Sequence, residues 1–324
     1  MLPAEHDYTR ALSMSRLAYD LENLFIPALA AALLSLVTYN WLFAGTSVGF
    51  LAFAALVVSC VLPKPAPVEH TGRPHTKAAS GLRLFWVPRL RALLALDLAF
   101  AASGAMITVN TVVLVRDHLH RTAGDVSLAR GAYGAGSMAA ALTLPRILKR
   151  VSDRAVMLPA AFALPVVFAA YGIATSEGPS WPALLAAWTA FGAACSAVLT
   201  PTGRLIRCSA ASADLPAAFA ARFSLSHSCW LLTYPLAGWV ASAAGTVTVG
   251  WMLGAIAMAG TLTAVLIWPA PDMARLDHRH HHLPPGHPHL AEVRLTSDGY
   301  PHSHDYVIDH LHPYWPAMRR TARP

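Results

Sequence analysis

Hydrophobic residues along the chain are grouped into long runs that short polar segments separate. A run of about 20 apolar residues is long enough, as a helix, to cross the roughly 30 Å hydrocarbon core of a bilayer. Eight runs approach this length, and we predict helices at 17–39, 43–62, 90–115, 126–147, 155–175, 183–203, 218–243 and 247–268. The pattern predicts an all-α membrane protein, a bundle of eight transmembrane helices, and the even number of spans places both termini on the same side.

The composition and the charges refine this prediction. Of the 324 residues, 55% are hydrophobic and only 13% are charged, which is too apolar for an ordinary soluble domain. Lysine and arginine accumulate in cytoplasmic loops, and an inside N-terminus puts 21 of the 24 basic residues there. The remaining three, Arg116, Arg121 and Arg130, lie at the one charged outer loop. We therefore expect a multi-pass protein of the bacterial inner membrane with both termini cytoplasmic. The net charge of +7 reflects this distribution of basic residues in cytoplasmic segments and does not indicate nucleic-acid binding.

The segment after residue 271 is rich in histidine. It holds ten of the 16 histidines, and eight of them form four His-x-His pairs. Residues i and i+2 of an extended backbone point the same way, and imidazole suits Ni, Cu, Zn and Co ions, so each pair is a two-nitrogen chelate. Intervening prolines and glycines exclude a long helix and indicate a flexible arm. The alternative is a solubilising, His-biased tail. The predicted metal ligands are His278, His280, His281, His282, His287, His289, His302, His304, His310 and His312.

Ionisable side chains within the spans are candidates for transport chemistry, because a charge at mid-bilayer costs at least about 2.5 kcal/mol. Asp97 shares a helical stripe with Ala101, Gly104, Thr108 and Thr111. This stripe is a candidate lining for a water-filled path. Two interpretations of Asp97 stay open. It is either a proton or cation site, or the structural partner of a basic group on a neighbouring helix.

Four further residues are candidates for proton coupling. Asp20 and Glu22 are offset by about 200° on the first helix, which excludes a two-carboxylate site on one face. They serve either transport or the helix N-terminus, with Arg16 as an ion-pair partner. Arg222 and His227 lie in the seventh span. His227 either relays protons or binds a metal, or it is a hydrogen-bonded packing residue beside Trp230.

Small residues mark the helix faces where close packing is expected. Gly131, Gly134 and Gly136 lie on the fourth predicted span, and Gly250 and Gly254 form a G-x-x-x-G pair on the last. Such faces let two backbones approach in lipid, where the hydrophobic effect does not drive helix association. We expect close helix contacts at both places.

Several local sequences resemble those of one transporter family. YTRALS at 8–13 and PALAA at 27–31 resemble the stretch from the fourth loop into the fifth helix of major facilitator superfamily exporters. Ile26 and two alanines stand where the antiporters of that family carry glycines. PRILKRVSDR at 145–154 lies where the second-half copy of the superfamily's basic loop motif belongs. The resemblance implies two six-helix halves around a substrate path.

A narrower resemblance concerns the second half of the chain. TPTGR at 200–204, FAARFSLSH at 219–227 and DYVIDHLHP at 305–313 resemble the superfamily's nickel-resistance exporters, which carry a His-rich C-terminal tail. The resemblance implies export of nickel. No G-x-x-x-x-G-K-[ST] element is present in the sequence, so we expect an ion gradient and not ATP to drive transport.

These observations divide the chain into four segments. We assign 1–62 to the last two helices of an N-terminal half and 63–89 to a cytoplasmic central loop. The segment 90–268 is a C-terminal six-helix half, and 269–324 is a cytoplasmic His-rich tail. The first four spans of a complete transporter are then missing. We expect either a misassigned start at Met1 or a gene fragment.

Together the sequence predicts a non-enzymatic exporter of a divalent transition metal, nickel first and cobalt second, by proton antiport. The tail would capture the ion in the cytosol. Expected partners are the lipid bilayer, divalent metal ions and protons, with no nucleic acid, no ATP and no resident cofactor. Two alternatives stay open: efflux of a drug or siderophore, and a non-transporting membrane remnant whose tail binds metal.

Overall fold

The computed structural model describes residues 14, 39–59, 81–211, 214–268, 275–280, 300–305 and 312. Most of the first predicted span, including Asp20 and Glu22, lies outside the described residues, as does the segment 60–80. Within the described part, the elements are α1 Tyr39–Ser59, α2 Pro88–His118, α3 Ala123–Ile147, α4 Asp153–Ala174, α5 Trp181–Arg207, α6 Leu215–Ile267, β1 Arg275–His280 and β2 Tyr300–Asp305.

Each of the seven predicted spans from 43–62 onward overlaps a helix, which confirms an all-α membrane bundle. Among the described residues, α2, α4, α5 and α6 are long and apolar enough to cross a membrane. Helix α3 has 25 residues, which is long enough, but it is less apolar than these four. Glycine and alanine fill much of α3, and they leave room for close packing.

Helix α6 contains two predicted spans. Its 53 residues would extend about 80 Å as a straight helix, more than twice the thickness of the hydrocarbon core. Gly245 interrupts the helical geometry with φ 83° and ψ 164°, a conformation that side chains with a Cβ rarely adopt. The element is therefore two arms, 215–244 and 246–267, and the turn at 244–246 is confirmed.

Local sequence sets where the helices begin. Thr122 Oγ1 accepts from the Asp125 amide at 3.3 Å, and the Asp125 carboxylate accepts from the Thr122 amide at 3.0 Å, which forms a capping box at α3. The hydrogen bonds from Thr122 hold the pKa of Asp125, just outside the predicted span, below its usual range. Ser152 and Ser180 cap α4 and α5 through their hydroxyls.

The second half of α2 departs from a regular α-helix. Met106–Asn110 and Leu114–His118 are π-helical, so their hydrogen bonds reach one residue further along the chain. The longer turns rotate the faces of the helix relative to one another. Asp97 and Thr111 are buried, whereas Thr108 is exposed. Asp97, Gly104 and Thr108 nevertheless all face the first arm of α6, whereas Thr111 faces Trp188 of α5. The predicted stripe is therefore confirmed from Asp97 to Thr108 and wrong at Thr111.

Helices α3 and α5 pack with their backbones in contact at two glycines. A Cβ on Gly136 would lie 1.9 Å from the carbonyl oxygen of Thr189. A Cβ on Gly192 would lie 1.9 Å from the carbonyl oxygen of Tyr133. The close helix contact expected at the glycines of α3 is confirmed. On α5, Gly192 plays the same part as Gly136 on α3.

The two glycines of the G-x-x-x-G pair on the second arm of α6 have different surroundings. Gly254 meets α4, where an added Cβ would lie 2.9 Å from Cβ of Phe168. Gly250 has no neighbouring atom within 4 Å of such a Cβ and borders a cavity instead. The expected contact is thus confirmed at Gly254 and wrong at Gly250. The second close approach on this arm is Gly260, opposite the carbonyl oxygen of Ala95 in α2.

The core between the helices consists of two apolar clusters. One surrounds Leu90 and Leu93 near the beginning of α2, and the other contains Trp188 and Phe191 of α5. Trp188 is fully buried, and its Nε1–H donates to Thr111 Oγ1 at 2.9 Å. This bond gives the buried indole N–H an acceptor, which lipid or apolar side chains cannot provide.

β1 and β2 form a two-stranded antiparallel ladder that pairs Arg275 with Asp305 and His280 with Tyr300. For these two segments the expectation of a flexible arm is wrong. Neither segment has the apolar period of an amphipathic helix, and pairing two extended segments satisfies backbone amides and carbonyls.

Candidate functional site

An ion pair joins α2 to the first arm of α6. Arg222 Nη2 donates to Asp97 Oδ1 at 2.8 Å, and the two residues are 125 positions apart in the sequence. The Asp97 side chain is 1% exposed and that of Arg222 is 21% exposed. The pair therefore lies at the edge of the α2–α6 contact, with the arginine on the more accessible side.

The geometry of this pair leaves hydrogen-bonding capacity on both partners. Asp97 Oδ2 and Arg222 Nε are buried and have no hydrogen-bond partner among the described residues. A bidentate arginine–carboxylate pair would engage two nitrogens and both oxygens. Here the contact uses one atom of each, so Asp97 Oδ2 is a buried acceptor that no described donor occupies.

His227 lies five residues after Arg222 on the same arm. Its Nδ1 is 2.8 Å from the carbonyl oxygen of Phe223 and 3.5 Å from Ser226 Oγ. The carbonyl can only accept, so Nδ1 carries a proton, and in the neutral ring Nε2 then holds the lone pair. The residue is exposed, so its Nε2 can serve as a base or a metal ligand.

An aromatic stripe follows along this arm of α6. The rings of Phe223 and His227 stack with centroids 3.9 Å apart, and those of Trp230 and Tyr234 stack at 5.6 Å. His227 and Trp230 are in contact at 5.3 Å, so the stripe is continuous. Spacings of four, three and four residues return to one helix face. This periodicity is visible in the sequence and is the signal that predicts the stripe.

The stripe ends at a polar contact between three helices. Tyr234 donates its hydroxyl to Thr108 Oγ1 at 3.2 Å, and Arg130 Nη2 of α3 donates to the Thr108 carbonyl oxygen at 3.2 Å. Arg130 was counted with the charged outer loop, although it falls within the predicted span 126–147; it lies within α3 and reaches α2. Thr108 belongs to a π-helical turn, where the backbone hydrogen-bond register changes. The sequence gives no signal for this contact because it depends on the π turn.

A cavity of about 330 Å³ lies at the far end of α2. Its lining includes His118 of α2, Tyr171 of α4 and Trp251 of α6. His118 Nε2 lies 3.2 Å from Thr246 Oγ1 at the entry to the second arm. Of the predicted coupling residues that the structure describes, none lines this cavity, so it is separate from the Asp97 pair.

Comparison with known families now decides the class of protein. The family model of the Major Facilitator Superfamily matches residues 97–293, more than half of the chain. The chain belongs to the Major Facilitator Superfamily. It is a multi-pass membrane transporter. No match was found among curated proteins.

Two segments that carry the family resemblance meet in this transporter. Arg204 Nε donates to both carboxylate oxygens of Asp153, at 3.0 and 3.2 Å, and Nη1 donates to the Leu148 carbonyl oxygen at 3.3 Å. The bond of Arg204 Nη2 to Asp153 completes a fork on the carboxylate. The basic loop motif at 145–154 is thus fixed to the end of α5.

The predicted metal ligands are distributed unevenly over the described structure. Among residues with described side chains, no group of three or more His, Cys, Asp or Glu could hold a metal ion. Four of the tail histidines are on β1 and β2, and His312 is buried. The other predicted tail ligands, which lie outside the described residues, are His281, His282, His287, His289 and His310.

Proposed function

We propose that this facilitator-superfamily transporter exports a divalent transition metal, nickel first and cobalt second, in exchange for protons. Support for the metal comes from the ten histidines after residue 271 and from the resemblance to nickel-resistance exporters. Imidazole without thiolate favours Ni(II), Co(II), Zn(II) or Cu(II) over Cu(I). The tail supplies the ion to the path, and α2 to α6 supply the gate.

The observation that carries proton coupling is the single-bonded Asp97–Arg222 pair. A proton that binds Asp97 Oδ2 neutralises the carboxylate and weakens its attraction for Arg222. Loss of that proton restores the attraction between α2 and the first arm of α6. Protonation therefore changes how strongly these two elements are held together, as proton-driven alternating access requires.

His227 is the second group in this proposal. It stands on the same arm as Arg222, with Nε2 as the free base of the neutral ring. A ring nitrogen with a lone pair can accept a proton or bind a metal ion, so His227 can pass a proton toward the carboxylate or hold the metal ion on the path.

Efflux of a drug or siderophore is the second candidate function. The aromatic stripe from Phe223 to Tyr234 favours it, because stacked rings suit a planar organic substrate better than a hydrated metal ion. The two functions differ in what the same helix face binds.

Transport into everted vesicles that contain the full chain tests the proposal. We expect Ni(II) uptake that depends on an imposed proton gradient and that Asp97→Asn abolishes, since the amide keeps the shape and removes the charge. Asp117→Asn is the matched control, because Asp117 is an exposed carboxylate on the same helix and should transport like the parent.

Parallel measurements with ethidium address the second candidate. Gradient-dependent ethidium movement without Ni(II) movement would replace metal export by drug efflux. Unchanged Ni(II) transport by Asp97→Asn would show that Asp97 is a packing residue.

A further inference from the structure

The strand register after α6 brings four of the ten tail histidines to one ladder. His278 of β1 stands directly opposite His302 of β2. His280 and His304 each lie two positions further along their own strand, on opposite sides of that pair. In the sequence, 19 residues separate the two strands, so neither the pairing nor its register is apparent there.

All four positions belong to one face of the ladder. Successive residues of a strand alternate between faces, so positions two apart share a face. Directly opposed positions of an antiparallel pair also share a face. A register shift of one residue would separate the two His-x-His pairs. The opposite face has no histidine; its positions are Arg275, Asp277, Arg279, Pro301, Ser303 and Asp305.

The spacing of these positions matches what a metal ion needs. Opposed positions have Cβ atoms about 4.5–5.5 Å apart, and diagonal neighbours are about 7–8 Å apart. Imidazole nitrogens bind a divalent ion at about 2.0–2.1 Å. The opposed pair can therefore provide two ligands, and each flanking position is one diagonal step from the pair.

We propose that this face is a single metal site with His278 and His302 as its principal ligands and His280 and His304 as flanking ligands. The inference develops the capture step of the proposed function and rests on it. It assigns tight binding to four histidines of a paired structure, whereas an unstructured arm would use all ten without preference. The remaining tail histidines bind more weakly.

Metal binding at this face also stabilises the ladder. A two-stranded ladder is only marginally stable alone in water. An ion that joins β1 to β2 ties the two strands together, and the binding free energy becomes stability of the pairing. Ni(II) should therefore slow amide hydrogen exchange in 275–280 and 300–305.

Calorimetric titration of the purified full chain with Ni(II) at pH 7.5 tests the assignment. We expect H278Q/H302Q to raise the Kd of the tightest site at least tenfold. The matched control H281Q/H282Q removes the same number of imidazoles from adjacent positions and should change that Kd less than twofold. Equal losses from the two variants would overturn the ladder site.

A second variant keeps the composition and changes only the face. H302S/S303H moves one principal imidazole to the opposite face without altering the number of histidines. We expect at least a tenfold rise in Kd and loss of the Ni(II)-dependent exchange protection. Parent-like affinity and protection would show that the register does not define the site.

These measurements separate the site from the proposed function. If vesicles export Ni(II) and H302S/S303H binds it like the parent, the ladder site is wrong and metal export stands. If the ladder variants lose binding as expected and vesicles move no Ni(II), metal export is wrong and the site is a metal store.

Discussion

At the scale of single residues, the Asp97–Arg222 pair combines two possible roles that the sequence left open. It is a structural contact, because it joins α2 to α6, and it has an open oxygen, as a coupling site needs. A single substitution at either residue leaves the other charge buried and unpaired, so loss of function alone does not distinguish the two roles.

Removing both charges separates them. Asp97→Asn or Arg222→Gln alone should destabilise the protein by about 3 kcal/mol, the lower end for a broken buried pair because Arg222 is partly exposed. Asp97→Asn/Arg222→Gln should regain most of that stability and still fail to transport with a proton gradient. Thermal unfolding in detergent and vesicle uptake measure the two quantities. A double variant that transports normally would assign the pair to structure alone.

The buried indole of Trp188 gives a second prediction at this scale. Thr111→Val keeps the side-chain shape and leaves Nε1–H of Trp188 without its acceptor, which should cost about 1–3 kcal/mol. Thr111→Ser retains the hydroxyl and should cost less. Thermal unfolding compares the two variants. Equal stability of Thr111→Val and the parent would mean that Trp188 finds another acceptor.

At the scale of elements, helix contacts in this transporter depend on where backbones approach. Helices α3 and α5 meet at Gly136 and Gly192, each of which faces a carbonyl oxygen of the other helix. Backbone atoms cannot rotate away as side chains do. These two glycines therefore fix the separation of α3 and α5.

Gly136→Ala should separate these helices and destabilise the protein by about 3 kcal/mol, the upper part of the usual range for overpacking. Gly250→Ala is the control, since its Cβ would meet no atom within 4 Å. The fraction of monodisperse protein after heating in detergent measures the difference. Similar survival of both variants would contradict the packing of α3 on α5.

At the scale of the whole molecule, the proposed function assigns capture to the tail and transport to the helices. These parts are consecutive in sequence and carry different chemistry, with ten histidines in the tail and the buried Asp97–Arg222 pair in the bundle. If the division is correct, the two activities can be lost separately.

Deletion of 277–312 should therefore reduce metal resistance of cells while vesicles retain Ni(II) uptake at high concentration, because the path is intact. Binding of Ni(II) by the full chain should weaken as the pH falls through about 6.5, since a protonated imidazole has no lone pair for a metal. Uptake at several Ni(II) concentrations and calorimetry at pH 7.5 and 5.5 measure these effects. Complete loss of vesicle uptake on deletion would place the tail in the path itself.

The helices and their ends follow from local properties of the sequence. Apolar runs of membrane-spanning length predicted the helices from 43–62 onward, because a backbone in lipid must satisfy its own hydrogen bonds. Thr122, Ser152 and Ser180 begin helices through bonds within three residues, and Gly245 turns α6 through its own backbone freedom. These are local properties, so the sequence contains them.

The contact partners of individual side chains depend on how the helices and strands pack. Asp97 meets Arg222, Arg130 reaches Thr108, and Gly136 meets α5 across distances in sequence that no local pattern encodes. The first π turn of α2 directs Thr111 away from the face that Asp97 and Thr108 share, because a longer turn shifts every later side chain to another face. The four histidine positions on β1 and β2 share one face of the ladder because of the strand register, and backbone pairing sets that register.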